Sequence, residues 1–331
     1  MLELADCGNE VVDVVLAALP AHTQAASACV CKTWWLLLLE MHRSSSSSFL
    51  LSTVVPLQKR ARKAAHNTTM LQAEAELRPK LPAPPTAGLI FVQTNLGMTS
   101  EVVGLVRRLP PNAHLVGGDV DTLLGTRHDG TLPGRGQPAG SALTLGAFPE
   151  AEMGSFALKM PERPLRMEPA LRATGALEGG WKVFVVLSCG RGDDILEGTI
   201  MALQHAHPTA AIIGGVATGS WLLRAHEHKV TIIRHGIVCL MFRGNVPLTA
   251  LVCKAADPGV RLKQARRELA MSGKELIGGL MFTCTARNAE ADAAAFASVF
   301  PSTPLAGMPC NGEVGPRVRS TGGGGGSSSA C

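Results

Sequence analysis

Trp181-Lys182-Val183-Phe184-Val185-Val186-Leu187 is a short run of β-branched and aromatic residues, the composition of a β-strand. Downstream, Asp193 or Asp194 can cap a helix that must end before Pro208. Ala210–Ile213 then reads as a second strand, entering Gly214-Gly215. Three further strands are expected in series: Lys229–Ile233, Ile237–Phe242 and Val246–Cys253. Arg234-His235-Gly236 and Arg243-Gly244-Asn245 connect them, which predicts an antiparallel meander. Strands that first alternate with a helix and then follow one another imply a mixed sheet, of α+β or α/β class.

On the N-terminal side, Gly88–Val92 and His114–Val116 read as short strands among glycine-rich loops at Gly117-Gly118 and Gly125 to Gly140. On the C-terminal side a helix is expected over Arg261–Met271 and a strand over Leu276–Cys284. Asn288 is placed to cap a helix over Ala289–Val299. The chain then passes Pro301, Pro304 and Pro309 to reach Asn311-Gly312-Glu313-Val314-Gly315-Pro316. Residues 49–87 read as a basic, proline-rich linker with one helix over Met70–Leu77. Ahead of the serine tract Ser44–Ser48, residues 1–43 read as three compact helices. Val11, Val12, Val15, Leu16 and Leu19 fall at helical spacing, and Pro20 ends the first helix. Gly322–Ser329 reads as a flexible tail. No internal repeat of fixed period is legible.

The 331 residues are 46% hydrophobic, enough to build a sizeable core and to exclude a disordered or fibrous chain. No apolar run approaches the ~18 residues of a membrane helix, and no basic leader opens the chain. A net charge of +5 is too small by itself to argue for nucleic acid. The nine cysteines are odd in number and include no C-x-x-C pair, so neither a disulfide framework nor a zinc module is expected. The expectation is therefore a chain with reduced thiols, in cytoplasm or nucleus, with no cofactor, no metal, no nucleic acid and no membrane.

Two motif sets carry a family resemblance. Asn9-Glu10-Val11-Val12-Asp13-Val14-Val15-Leu16-Ala17-Ala18-Leu19-Pro20, followed by Ala28-Cys29-Val30-Cys31-Lys32-Thr33-Trp34-Trp35, resembles an F-box. Its pattern is E-V-x-x-x-V-L-x-x-L-P and then V-C-[KR]-x-W. Far downstream, Phe300-Pro301-Ser302-Thr303-Pro304-Leu305-Ala306-Gly307 and Asn311-Gly312-Glu313-Val314-Gly315 resemble the FIST domain, the "F-box and intracellular signal transduction" module. Leu280-Met281-Phe282-Thr283-Cys284 stands where that family has a strand ending in cysteine. The family continues past the N-G-E motif into a further strand, whereas here glycine and serine follow soon after Arg319. The resemblance implies an F-box over 1–48, a linker over 49–87, an N-terminal FIST-like part over 88–256, a C-terminal FIST-like part over 257–316 and a tail over 317–331. The fold it implies is a three-helix F-box followed by a mixed-sheet, two-part FIST region.

It also implies a function: the non-catalytic substrate receptor of a Skp–cullin–F-box ubiquitin ligase. Val12, Val15, Leu16, Leu19, Pro20, Val30, Cys31, Trp34 and Leu38 would form the anchor for the Skp adaptor. The FIST region would recruit a target protein. The alternative is a small-molecule-sensing FIST protein with a degenerate F-box.

Other residues invite chemistry. Cys284 ends a strand near Arg287 and the helix after Asn288, which could lower a thiol pKa; an inert buried thiol is the competing reading. Asn311-Gly312-Glu313 offers an amide, a carboxylate and a close backbone approach for a small ligand, or is simply a structural turn. Lys59, Arg60, Arg62 and Lys63 form a nuclear-import candidate or a solvated linker. Gly214 to Ser220 has phosphate-loop glycine spacing but no lysine after Gly219, which favours an ordinary tight loop. His205/His207 and His226/His228 read as surface histidines rather than metal ligands. No nucleophile–base–acid set is readable.

Overall fold

A computed structural model describes residues 49–56, 69–93, 99–125, 140–160, 167–190, 193–245, 258–271, 276–285 and 288–314. In chain order these form strand β1 (Phe49–Pro56), helix α1 (Thr69–Leu77), β2 (Ala87–Val92), α2 (Thr99–Val106), β3 (His114–Asp119), β4 (Leu124–Gly125), β5 (Gly140–Ala147), β6 (Ala151–Lys159) and α3 (Met167–Ala173). There follow β7 (Val183–Cys189), α4 (Asp193–Ala206), β8 (Ala211–Ala217), β9 (Leu222–His226), β10 (Lys229–Ile233), β11 (Gly236–Gly244), α5 (Pro258–Met271), β12 (Gly279–Cys284), α6 (Ala289–Val299) and β13 (Leu305–Val314).

The strands make two mixed sheets. The first runs β1-β5-β2-β3-β9-β10 and the second β12-β13-β8-β7-β11-β6, with β4 also paired to β13. The period-two alternation of each strand sorts its side chains into layers. Val183, Val185 and Leu187 of β7 join Leu89 and Phe91 of β2 and Leu240 of β11 in a core between the sheets. Their neighbours Phe184 and Val186 face the other way, onto Leu171 of α3 and Ile195, Leu196 and Leu203 of α4. The outer face of the first sheet is covered likewise: Ile90 and Val92 pack with Met70 and Leu77 of α1 and Leu105 of α2. A fourth cluster packs Leu262 of α5 and Phe296 of α6 against Leu305. The architecture is thus four layers, helix–sheet–sheet–helix. Burial of β7 on both faces explains why Val183–Leu187 is continuously apolar instead of alternating.

The two sheets are built from matching halves. The order β1-α1-β2-α2-β3-β5 recurs as β6-α3-β7-α4-β8-β11, and the sheet order β1-β5-β2-β3 recurs as β6-β11-β7-β8. The register recurs too. Ala87 lies opposite Gly146 and His114, as Val183 lies opposite Phe242 and Ala211. Counterparts stand roughly a hundred residues apart, so a repeat that the sequence did not betray is present in the backbone. The halves exchange edges. Between β8 and β11 of the second half, β9 and β10 cross to extend the first sheet; between β3 and β5 of the first half, β4 crosses to pair with β13 of the second.

Several expectations change. Residues 49–56, read as the start of a linker, are strand β1, paired along their length with β5 and carrying buried Val54 and Val55. The helix expected within that stretch is α1. The meander is divided: β10 and β11 lie in different sheets, and the hairpin partner of β10 is β9. The third strand expected there, Val246–Cys253, lies outside the described residues. Strands β5 and β6 went unread because Gly140, Gly146, Gly154 and several alanines dilute their strand signal. The proline-punctuated run after Pro304 is strand β13, with Pro309 just before an irregularity in its ladder to β8, one place a sheet accepts proline. Residues on both sides of the expected 256/257 division share the second sheet. The F-box residues and the cluster Lys59, Arg60, Arg62 and Lys63 lie outside the described residues.

Candidate functional site

Strands β12 and β13 are parallel, so both end at the same rim of the second sheet. Cys284 is opposite Cys310, and the Thr285 N–H donates to the Cys310 carbonyl at 3.0 Å. The Thr285 hydroxyl donates to Asn311 Oδ1 at 3.2 Å. Beyond Cys310 the ladder to β8 shifts, from Cys310↔Ala217 to Glu313↔Gly215. Asn311-Gly312 is therefore a bulge within a strand, not a turn, and bulges commonly re-aim side chains at sheet rims. Asn311 is exposed there. Cys310 is buried, and its thiol donates to the Met308 carbonyl at 3.6 Å. A Cβ on Gly215 would stand 2.6 Å from both Cys310 Sγ and the Gly312 carbonyl, so only glycine lets β8 approach the bulge this closely. The backbones of Cys284, Asn311, Gly312 and Glu313 are brought together at the carboxyl ends of parallel strands, where open α/β sheets hold their ligands. Arg287 lies outside the described residues, as do the side chains of Cys284 and Glu313.

The Asn288 side chain accepts the Ala291 N–H at 3.2 Å, so the expected cap of α6 is present. The phosphate-loop-like segment is strand β8 and a tight turn whose polar groups are used internally. Both the amide and the hydroxyl of Ser220 donate to Asp119 Oδ2 at 3.1 Å, and the Asp121 N–H donates to Thr218 Oγ1 at 2.8 Å.

Two histidines read as surface groups are not. His207 is buried, with Nε2 2.8 Å from the Ala176 carbonyl and its ring on Phe184. His226 stacks on His114 with ring centroids 3.9 Å apart and an 11° interplanar angle. His114 Nδ1 is 3.0 Å from Ser155 Oγ, and Arg224 Nε–H donates to both the hydroxyl and the carbonyl of Ser155 at 3.0 Å. His114 belongs to β3, Ser155 to β6, and Arg224 and His226 to β9, so both sheets contribute. Burial, then electrostatic repulsion from His226 and Arg224, pushes His114 down to about 4, against a smaller opposing pull from Glu227. Burial likewise lowers Arg224. The sequence offered one sign of this cluster: Arg224 and His226, two apart, must share a face of a strand. His114 and Ser155 carried no signal, because their contacts span three strands.

Elsewhere, burial raises the Cys189 thiol to about 11 and holds Cys239 well above its ordinary value, which keeps both inert. Among the described residues no group of three or more His, Cys, Asp or Glu is arranged to hold a metal ion, and no helix is long and apolar enough to cross a membrane. No protein-family model matches the chain, and no curated protein matches it. The fold by itself defines a mixed α/β protein of two packed sheets, with helices on their outer faces.

Proposed function

We propose that the chain is the substrate receptor of a Skp–cullin–F-box ubiquitin ligase, with an F-box over 1–48 and a FIST region after the linker. The observation that carries this reading is the order of two motif sets. E-V-x-x-x-V-L-x-x-L-P and V-C-K-x-W lie within residues 10–34, and F-P-x-x-P-L-x-G and N-G-E-V-G lie within residues 300–315. Such a receptor is not itself catalytic; it holds a target protein near the charged conjugating enzyme and raises the effective concentration of the target's lysines. It would act in cytoplasm or nucleus. Val12, Val15, Leu16, Leu19, Pro20, Val30, Cys31, Trp34 and Leu38 would supply the apolar anchor for the Skp adaptor. Size-exclusion chromatography and calorimetry of the purified chain with the adaptor test the reading. A one-to-one complex is expected, and Leu19→Asp should abolish it by placing an unpaired carboxylate in an apolar interface. Undiminished affinity in that variant sinks the anchor.

A second reading, a FIST-type sensor of small molecules, is favoured by one observation: the carboxyl ends of β12 and β13 bring Cys284 and Asn311 onto one rim. A ligand bound there would raise the thermal stability of the chain by mass action.

A further inference from the structure

The layer between the sheets is apolar along most of its length and turns polar at one end. Val116 of β3 and Leu222 of β9 belong to the inter-sheet core. By strand alternation His114 shares the face of Val116, and Arg224 and His226 share that of Leu222. Ser155 reaches the same space from β6, which is the edge of the second sheet. The cluster therefore sits where the sandwich opens.

Its guanidinium makes no ion pair among the described residues, although Glu227 acts on it electrostatically. Arg224 is half-buried, and a guanidinium withdrawn from water is ordinarily matched by a carboxylate. Among the described residues no carboxylate forms an ion pair with it. Glu227, the acid that acts on it electrostatically, lies instead 3.5 Å from Lys229 Nζ and 3.9 Å from His226 Nε2. Arg224 gives Nε–H to Ser155, and its two terminal amino groups are the fork that binds oxyanions in pairs. Accepting that bond leaves the Ser155 hydroxyl proton for His114 Nδ1, so the neutral ring carries its own proton on Nε2. His226 Nδ1 is buried, with no hydrogen-bond partner among the described residues.

We propose that this end of the inter-sheet layer is a site for a small oxyanion, a carboxylate or a phosphate group, held by the Arg224 guanidinium, with the paired rings of His114 and His226 beside it. The anion supplies the direct oxyanion partner that Glu227, which acts on Arg224 only through space, does not. The groups around His114 are Arg224, His226 and Glu227 on β9 and its turn, Ser155 on β6 and, through Glu227, Lys229 on β10. An anion on Arg224 cancels its repulsion of a proton on His114 and makes protonation of His114 easier.

The test follows the ring C–H resonances of His114 in the full-length chain, assigned by their loss in His114→Asn, as pH is lowered. The titration is run in sodium chloride, in inorganic phosphate and in acetate at matched ionic strength. Phosphate or acetate should move the His114 midpoint from about 4 toward the ordinary 6.5, and chloride should not. Whichever anion acts identifies the geometry the site prefers. In Arg224→Gln the midpoint should be higher without any anion and should no longer respond to one. Failure of both anions to move it in the wild type overturns the proposal. So does an equal response to chloride, which is mere screening, or an undiminished response in Arg224→Gln. If that variant does not fold, the wild-type comparison of the three salts decides alone.

Discussion

The β2–α2–β3 and β7–α4–β8 units share a hydrogen-bond register but not a chemistry. His114 and Ala211 open the second strand of each unit at equivalent positions, opposite Ala87 and Val183. One begins a polar cluster across two sheets; the other is a methyl group. What the units keep in common is a glycine. Gly117 lies opposite Ile90, and Gly214 lies opposite Val186, at the same step of the ladder. A Cβ on Gly117 would stand 1.7 Å from the Ile90 carbonyl oxygen, and one on Gly214 would stand 1.8 Å from that of Val186. Two chains of unlike side chains can thus repeat one backbone, provided the point of closest strand approach stays bare.

The largest effects should come from breaking that shared point. Gly117→Ala and Gly214→Ala place a methyl group inside a backbone carbonyl that cannot move without parting the strands. Each should cost more than about 4 kcal/mol, in the range reserved for core disruption, measured by urea unfolding. Tolerance at one position and not the other would mean that the repeat is only topological.

Next comes the difference at His114. Its folded-state value of about 4 lies below the ordinary 6.5, so between those limits the unfolded chain holds more protons. Stability from this group is complete above pH 6.5 and falls as pH is lowered to 4, by at most about 3 kcal/mol. His114→Asn should flatten that part of the pH profile. A profile unchanged in the variant would remove His114 as its source.

Glu101 on α2 has the opposite sign. It is buried beneath the helix layer of the first sheet; among the described residues Oε1 has no partner, and Oε2 accepts a long 3.4 Å bond from the Met70 N–H. Burial raises its carboxyl to about 7. Ionisation is thus easier unfolded, and stability is lost as pH rises from 4.5 to 7. Glu101→Gln should stabilise the chain by at most about 3 kcal/mol at pH 8 and by nothing at pH 4. Glu197 on α4 is exposed, so Glu197→Gln should be silent at both. Between pH 4.5 and 6.5 the His114 and Glu101 slopes oppose each other in the wild type, and only the two single variants reveal them.

What was legible in the sequence was local. Val183–Leu187 announced a strand, and α1, α4, α5 and α6 were found near their observed bounds. Asn288 was found because a cap is decided by a few adjacent residues. What was not legible was decided by partners far along the chain. Phe49–Pro56 is a strand because β5 lies beside it, while its own surroundings are serine-rich and basic. The His114 cluster joins residues from three strands, and the matching halves share register without sharing side chains. The rim at Cys284 and Asn311 falls between: both were singled out, but the parallel pairing that aligns them depends on α6 returning the chain.

That return offers the smallest effect. The β12–α6–β13 unit is a third parallel crossover, and Gly307 lies opposite Met281 as Gly117 lies opposite Ile90. Its helix is largely alanine, and few large side chains tie it down: Phe296 and Val299 are its buried apolar anchors beyond Ala293. Polar contacts at its first turn matter correspondingly more. Asn288 accepts the Ala291 N–H, and the Thr283 hydroxyl, from the end of β12, donates to Asp292 at 3.0 Å. Glu290 and Asp292 also place negative charge at the positive end of the helix dipole. Asn288→Ala should therefore cost about 1 kcal/mol, the usual worth of a cap. The loss should appear as faster hydrogen exchange over Ala289–Asp292, with β2 and β7 unchanged, because opening one helix end leaves both sheets intact. Equal acceleration across both sheets would mean that the third crossover is not an appendage to the paired halves but part of what holds them closed.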